Sequence, residues 1–166
     1  MAMNLEGALA LRGNQPVGHY CPIERALDVI STRSAILLLR EAFYGATRFE
    51  EFVARSGLTE ATTAKKLRDL HVAGVLSTRP YQRPGERRRH EYTLTESGVD
   101  LLPAVFSLLQ WGNKHDPPPY PPAMRHRGCG AEVVMEVRCS AGHEVDMDHI
   151  AVSAPGPFGL KDPHSP

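Results

Sequence analysis

The stretch "TRFEEFVARSGLTEATTAKKLRDLHVAGVL", which begins at Thr47, and the "STRPYQRPGERRRHEYTL" that follows it constrain the fold more tightly than anything else in the chain. Phe49, Phe52 and Val53 share one face of a short helix that Thr47 can cap and "RSG" can end. Thr59 then offers a second cap, and Ala64, Leu67, Leu70 and His71 recur along one side of a longer helix that stops at Gly74. Val75 and Leu76 lead into a run that turns at Pro84-Gly85 and resumes with the alternation of a strand through "RRRHEYTL". The chain therefore reads helix, tight turn, helix, then a β-hairpin with a basic tip.

That order predicts an α+β fold: a winged helix-turn-helix, mainly α with a two-stranded wing. The second helix of such a pair can enter the major groove of DNA and present short polar and cationic side chains to base edges. Thr59, Thr62, Thr63, Lys65 and Lys66 are the expected groove-facing residues, and Arg83, Arg87, Arg88 and Arg89 the expected contacts of the wing with phosphates or the minor groove. Alternation along the strand lets at most two of Arg87 to Arg89 face DNA, and the same charges could serve only to block edge pairing. Arg48 reads equally as a helix-capping charge or as a phosphate contact. His71, on the apolar side of its helix, reads as a satisfied interior histidine.

Charge supports this placement only when taken by region. The chain is formally neutral, yet residues 48–92 hold ten Lys or Arg against six Asp or Glu, while residues 116–166 hold four against seven. A basic middle and an acidic tail cancel in the total. The longest apolar run, residues 35–39, is far short of the roughly 20 residues that cross a bilayer, and the first 18 residues lack a secretory pattern. The expectation is a cytoplasmic protein with reduced cysteines and no membrane partner.

Upstream, apolar spacing predicts helices over residues 22–30 and 33–44, separated by Ser31 and a new cap at Thr32. Downstream, Thr95 starts a long helix interrupted by Pro103. Ile23 and Leu27 at one end, and Leu102, Phe106, Leu109 and Trp111 at the other, carry more apolar surface than a monomer readily exposes. "DPPPYPP" then forms a stiff linker. The expected organisation is a flexible arm (residues 1–18), a winged domain (19–115), the linker (116–123), a small β-hairpin (124–152) and a disordered tail (153–166).

"CPIERALDVISTRSAILLLREAFYGATRFEEF", "LTEATTAKKLRDLHVAGVL", "YQRPGERRRHEYTLTESG" and "LLPAVFSLLQWG" together resemble the HxlR-type transcriptional regulators of bacteria and archaea. The likeness runs from about Cys21 to Lys114. It rests on the Cys-Pro start, Gly-x-x-Arg-Phe, Glu-Tyr-x-Leu-Thr-x-x-Gly and the terminal Trp-Gly. It implies a homodimer whose first and last helices form the interface, and the expected function is a repressor bound to a palindromic double-stranded operator. Ser34, where many members have Trp, and Arg83, where an acidic residue is frequent, depart from the pattern. A protein-interaction module on the same fold, with no specific DNA binding, is the competing reading.

No cofactor is required by this reading, although two features bear on a signal. Cys21 stands at a helix start, where backbone N–H groups favour a thiolate, and the resemblance implies that some relatives sense oxidants at this position; packing is the alternative. In the tail, His126-x2-Cys129 and Cys139-x3-His143 could supply four zinc ligands, as a degenerate ribbon, or form a metal-free hairpin. A small-molecule effector is a further expectation. Gly-rich phosphate loops, His-Glu-x-x-His and Gly-x-Ser-x-Gly are all absent from the sequence, so an enzyme is not expected.

Overall fold

A computed structural model describes residues 2–82, 85 and 87–154. In chain order the elements are β1 (Asn4–Gly7), α1 (Ala8–Leu11), α2 (Pro22–Ile30), α3 (Arg33–Phe43), α4 (Phe49–Ser56), α5 (Glu60–Val72), β2 (Leu76–Tyr81), β3 (Arg89–Leu94), α6 (Glu96–Val99), α7 (Leu102–His115) and β4 (Ala151–Ala154). The chain forms two compact units, Leu27–Met135 and the two chain ends up to Ala26 and from Glu136. Among the described residues no helix is long and apolar enough to cross a membrane.

The unit Leu27–Met135 is built on α3, whose Leu38 and Leu39 are sealed among Ala46, Phe52 of α4, Leu67 and Leu70 of α5, Val75, Leu76 and Val105 of α7. Burial of such side chains contributes about 1.5–3 kcal/mol each before the entropy of ordering them is subtracted. Helix starts follow the threonines: Thr32 accepts from Ala35 N–H at 3.2 Å, Thr59 from Thr62 N–H at 3.2 Å and Thr95 from Gly98 N–H at 3.1 Å. Thr47 does not cap α4 as expected. Arg48 takes the N-cap position, and the Glu51 carboxylate accepts from the N–H groups of Thr47 (2.9 Å) and Arg48 (3.1 Å). A carboxylate reaching back from the first turn does the work that a hydroxyl was expected to do.

The two helices of the pair, α4 and α5, are joined through Gly57, whose φ of 67° lies in the left-handed region that glycine adopts without penalty. Strands β2 and β3 pair antiparallel, in register from Leu76 opposite Leu94 to Tyr81 opposite Arg89. Gly98 explains the Thr-x-x-Gly signature. It is buried beneath the Thr95 cap, and a Cβ there would lie 2.3 Å from the Val75 carbonyl oxygen, which already accepts from Thr95 N–H at 3.1 Å. The helix after the wing begins as the short α6 and restarts as α7 with Pro103 in its first turn, where the missing N–H costs nothing.

Several sequence expectations are corrected outside the winged domain. The N-terminal residues are not a loose arm: β1 pairs in parallel with β4, Asn4 opposite Ala151 through Gly7 opposite Ala154, and α1 follows with Leu9 buried. Residues 153 and 154 thus belong to a strand, and the rest of the expected disordered tail lies outside the described residues. In place of one hairpin over residues 124–152 there are two tight turns, each closed by a single antiparallel bridge, Arg125 to Glu132 and Arg138 to Glu144, followed by the 3-10 turn Met147–His149. Within the larger unit the Pro-rich linker folds back onto α7, where Asn113 Nδ2 donates to the Pro122 carbonyl at 2.7 Å. Gln110 clamps Met135 in both directions, donating to its carbonyl at 3.1 Å and accepting from its N–H at 2.7 Å.

Candidate nucleic-acid interface

Helix α5 has three kinds of face. Thr63, Leu67 and Leu70 are buried; Thr62, Lys66 and Asp69 are half-buried; Ala61, Lys65, Arg68 and Val72 are exposed. Thr63, expected to face DNA, has no exposed surface. It lies one turn before Leu67, so the helical period places it on the core side, and its hydroxyl oxygen has no hydrogen-bond partner among the described residues. Thr59 and Thr62 share a hydroxyl–hydroxyl bond of 2.9 Å at the start of the helix. Lys66 is held by Asp69 at 3.1 Å, one turn along. Lys65 and Arg68, at positions i and i+3, form no ion pair among the described residues and stand on the exposed stripe. Arg68 was not singled out from the sequence, although its spacing from Lys65 placed it on the same face. His71 is exposed rather than interior; its Nδ1 lies 2.9 Å from the Leu76 carbonyl oxygen, which requires that nitrogen to carry the hydrogen.

The base of the wing is locked to the start of α4. Tyr92 N–H donates to the Thr47 carbonyl at 2.7 Å, and its ring meets Phe52 edge-on at 6.0 Å. Burial raises the Tyr92 phenol pKa above its ordinary value. Arg48 lies over the Tyr81 ring at 5.2 Å and pairs with Glu91 at 3.7 Å. The signature arginine is thereby engaged within the fold, which favours its role as a fastener of the wing. Glu91 also meets Arg79 at 3.4 Å. Arg89 is bound to Glu50 of α4. Arg87 and Arg88, beyond the strand, are exposed and form no ion pair among the described residues; Arg83 lies outside the described residues. Among the described residues the wing therefore has charges that fasten it and charges that form no ion pair.

Glu51, at the root of this joint, has a carboxyl pKa below the ordinary value. The N–H groups of Thr47 and Arg48 are the main cause, burial opposes them, and the nearby Arg55 and Arg48 add to the lowering. Its stability contribution is present above its ordinary pKa and is lost as pH falls through the lowered one.

Known proteins share this arrangement. The model of the HxlR-like helix-turn-helix matches residues 29–119. This chain belongs to the HxlR-like helix-turn-helix family of transcriptional regulators. It is similar to Rv3095 of Mycobacterium tuberculosis, an uncharacterised HTH-type transcriptional regulator, with 36% identity over 81% of this chain and 85% of that one. YdeP of Bacillus subtilis, also an uncharacterised HTH-type transcriptional regulator, is 32% identical over 57% of this chain and 73% of its own length. Among solved structures, PA1607, provisionally assigned as a transcription factor, superposes with a TM-score of 0.72 at 33% identity, covering 83% of this chain and 97% of its own. The redox regulator HypR in its oxidised form superposes with a TM-score of 0.52 at 31% identity, covering 57% of this chain and 97% of its own.

The apolar residues expected at an HxlR-type dimer interface divide into two groups. Ile23 (69% exposed), Leu27 and Trp111 (62%) are open to solvent, and Leu102 and Leu109 are half-buried. Phe106 is not available to a partner: it is 8% exposed, and its ring packs against those of Phe43 at 6.0 Å and Tyr44 at 6.5 Å. Cys21 is a half-buried free thiol whose carbonyl accepts from Arg25 N–H as α2 begins. In the tail each Cys–His pair is closed on its own turn. His126 Nδ1 lies 3.2 Å from Cys129 Sγ in the larger unit, and Cys139 Sγ lies 3.5 Å from His143 Nδ1 in the other. Each pair offers two of the four ligands that a structural zinc needs.

Proposed function

We propose that this HxlR-like regulator binds a specific double-stranded operator as a homodimer and represses transcription, with α5 in the major groove and the tip of the wing on the phosphate backbone. The observation that carries this is the sorting of the cations. Lys66, Arg79, Arg89 and Arg48 are paired with carboxylates, while Lys65, Arg68, Arg87 and Arg88 are exposed and unpaired among the described residues. Unpaired cations on a groove-sized helix and an adjacent loop are what neutralise phosphates and release counterions. The homodimer is supported by the exposed Ile23, Leu27 and Trp111, since two-fold pairing would cover apolar surface and match a palindrome with half-sites about one helical turn apart. Selection from random duplexes, followed by sequencing, tests this reading: it expects a two-fold-related motif, whereas no enrichment under reducing and oxidising conditions alike favours the protein-interaction module.

The likeness to HypR supports a redox input through Cys21. Oxidant treatment is expected to change operator affinity in the parent protein and to leave Cys21→Ser unchanged. An equal response in both proteins removes Cys21 from the mechanism.

A further inference from the structure

Between α3 and α7, in the unit that carries the helix-turn-helix, lies a cavity of about 470 Å³, within the range of roughly 300–1,000 Å³ that accommodates small organic ligands. Its walls include Ile36, Leu37 and Leu109, with Pro122 of the folded-back linker along one side. Besides Tyr44, two charged side chains interrupt this mainly apolar lining, and they are neighbours in sequence. Arg40 donates through Nε (2.8 Å) and through a terminal nitrogen (2.6 Å) to one oxygen of Glu41, Oε1. The Glu41 side chain is only 6% exposed, yet its second oxygen, Oε2, accepts no hydrogen bond among the described residues. Oε2 is not sealed from solvent, so it keeps acceptor sites that a donor can fill. An accessible acceptor on a residue that lines an apolar cavity can take a hydrogen bond from a ligand donor.

We propose that this cavity is the effector site of the regulator, and that it takes an uncharged, mainly apolar molecule carrying a hydroxyl group, which donates to Glu41 Oε2. Charge sets the class. The Arg40–Glu41 pair is already neutral, so an anion would compete with Glu41 for Arg40, and a cation would meet the Arg40 guanidinium at close range. A hydroxyl supplies the missing donor and leaves the pair intact. Apolar surface holds the remainder of the molecule, and Asn113, by fixing the Pro122 carbonyl, keeps the linker along the cavity. Helix α3 provides the route to DNA: Leu38 and Leu39 are sealed in the core against α4 and α5, while Ile36, Leu37, Arg40 and Glu41 line the cavity. A ligand that shifts α3 against α7 also shifts the seat of the recognition helix.

This inference rests on the DNA-binding reading for its consequence, but the binding step can be measured without DNA. The test is calorimetric titration of the full chain with 2-naphthol and 4-phenylphenol, each paired with its methyl ether, which keeps the apolar body and removes the donor. At least one phenol is expected to bind at least tenfold more tightly than its ether. That preference is expected to disappear in Glu41→Ala, and binding is expected to be lost in Ile36→Phe, which fills the cavity, with the circular dichroism of both variants unchanged. Equal affinity of phenol and ether, absence of binding by both phenols, a preference that survives in Glu41→Ala, or binding that survives in Ile36→Phe overturns the proposal. Should Glu41→Ala fail to fold, Ile36→Phe and the ether comparison still decide it. Adding the bound phenol to an operator complex then reads the coupling. A changed operator affinity supports an effector role, and an unchanged one overturns that role. A protein that binds the phenol but no DNA retains the site and loses the regulator reading.

Discussion

The winged domain and the two chain ends are held together by different physics. In the winged domain Leu38, Leu39, Phe52 and Leu67 are wholly removed from solvent, and the wing is pinned to them by Tyr92, Arg48 and Thr95. In the chain ends, among the described residues, Leu9 alone is buried, and order comes from the four-residue pairing of β1 with β4 and from bridge-closed turns. A region that buries large side chains tolerates deletion of a surface hydrogen bond and fails when the core is emptied. A region held by backbone pairing behaves in the opposite way. The residues proposed to face DNA are mounted on the first kind of region, which gives them the fixed geometry that groove recognition needs.

Emptying the core should produce the largest effect. Phe52→Ala is expected to cost about 3–5 kcal/mol and to lower the thermal midpoint of the winged domain, because it leaves a cavity and removes the edge-on partner of Tyr92. A melt unchanged within error would contradict the packing described here. Next comes Gly98→Ala, where the added methyl meets the Val75 carbonyl oxygen; a loss of about 1–3 kcal/mol is expected in chemical denaturation. Gln110→Ala should be smaller, about 1–2 kcal/mol and local. Hydrogen exchange should speed up around Met135 while the core amides of α3 and α5 keep their protection, and a uniform acceleration would mean that the core-built unit does not tolerate loss of a surface hydrogen bond. The smallest effect concerns acid. Since the folded state lowers the Glu51 pKa, Glu51→Gln should flatten the loss of stability below about pH 4.5 and leave the neutral-pH slope unchanged.

Much of the winged domain was legible in the sequence because its signals are local. Thr32, Thr59 and Thr95 each announce a helix start by a side chain that needs only its own next turn, and Gly57 and Gly98 mark places where a side chain is disfavoured. Thr63 was misassigned through its polarity, although its spacing from Leu67 puts it inside. Arg68 was passed over although spacing from Lys65 puts it outside. Phe106 shows a different difficulty: an apolar residue on a terminal helix demands cover, and sequence does not say whether the cover comes from α3 or from a second chain. The pairing of β1 with β4 joins opposite ends of the chain through short segments, "NLEG" and "AVSA", that have neither alternation nor a turn between them. The place of Glu41 was illegible for the same reason, since only the folded structure puts this residue in a cavity wall.

Which cations are free decides the proposed DNA contacts, and the salt dependence of operator binding tests that most directly. Log affinity against log salt is to be compared for the parent protein, for Lys65→Ala with Arg87→Ala, and for Lys66→Ala alone, on the operator obtained by selection. The double variant removes four cations from the homodimer and is expected to reduce the slope by about 3.6, since each phosphate contact contributes roughly 0.9. Lys66→Ala, which removes a cation already paired with Asp69, should change the slope by much less. A slope unchanged in the double variant, or reduced equally by Lys66→Ala, would contradict the assignment of the exposed α5 stripe and the wing tip to DNA.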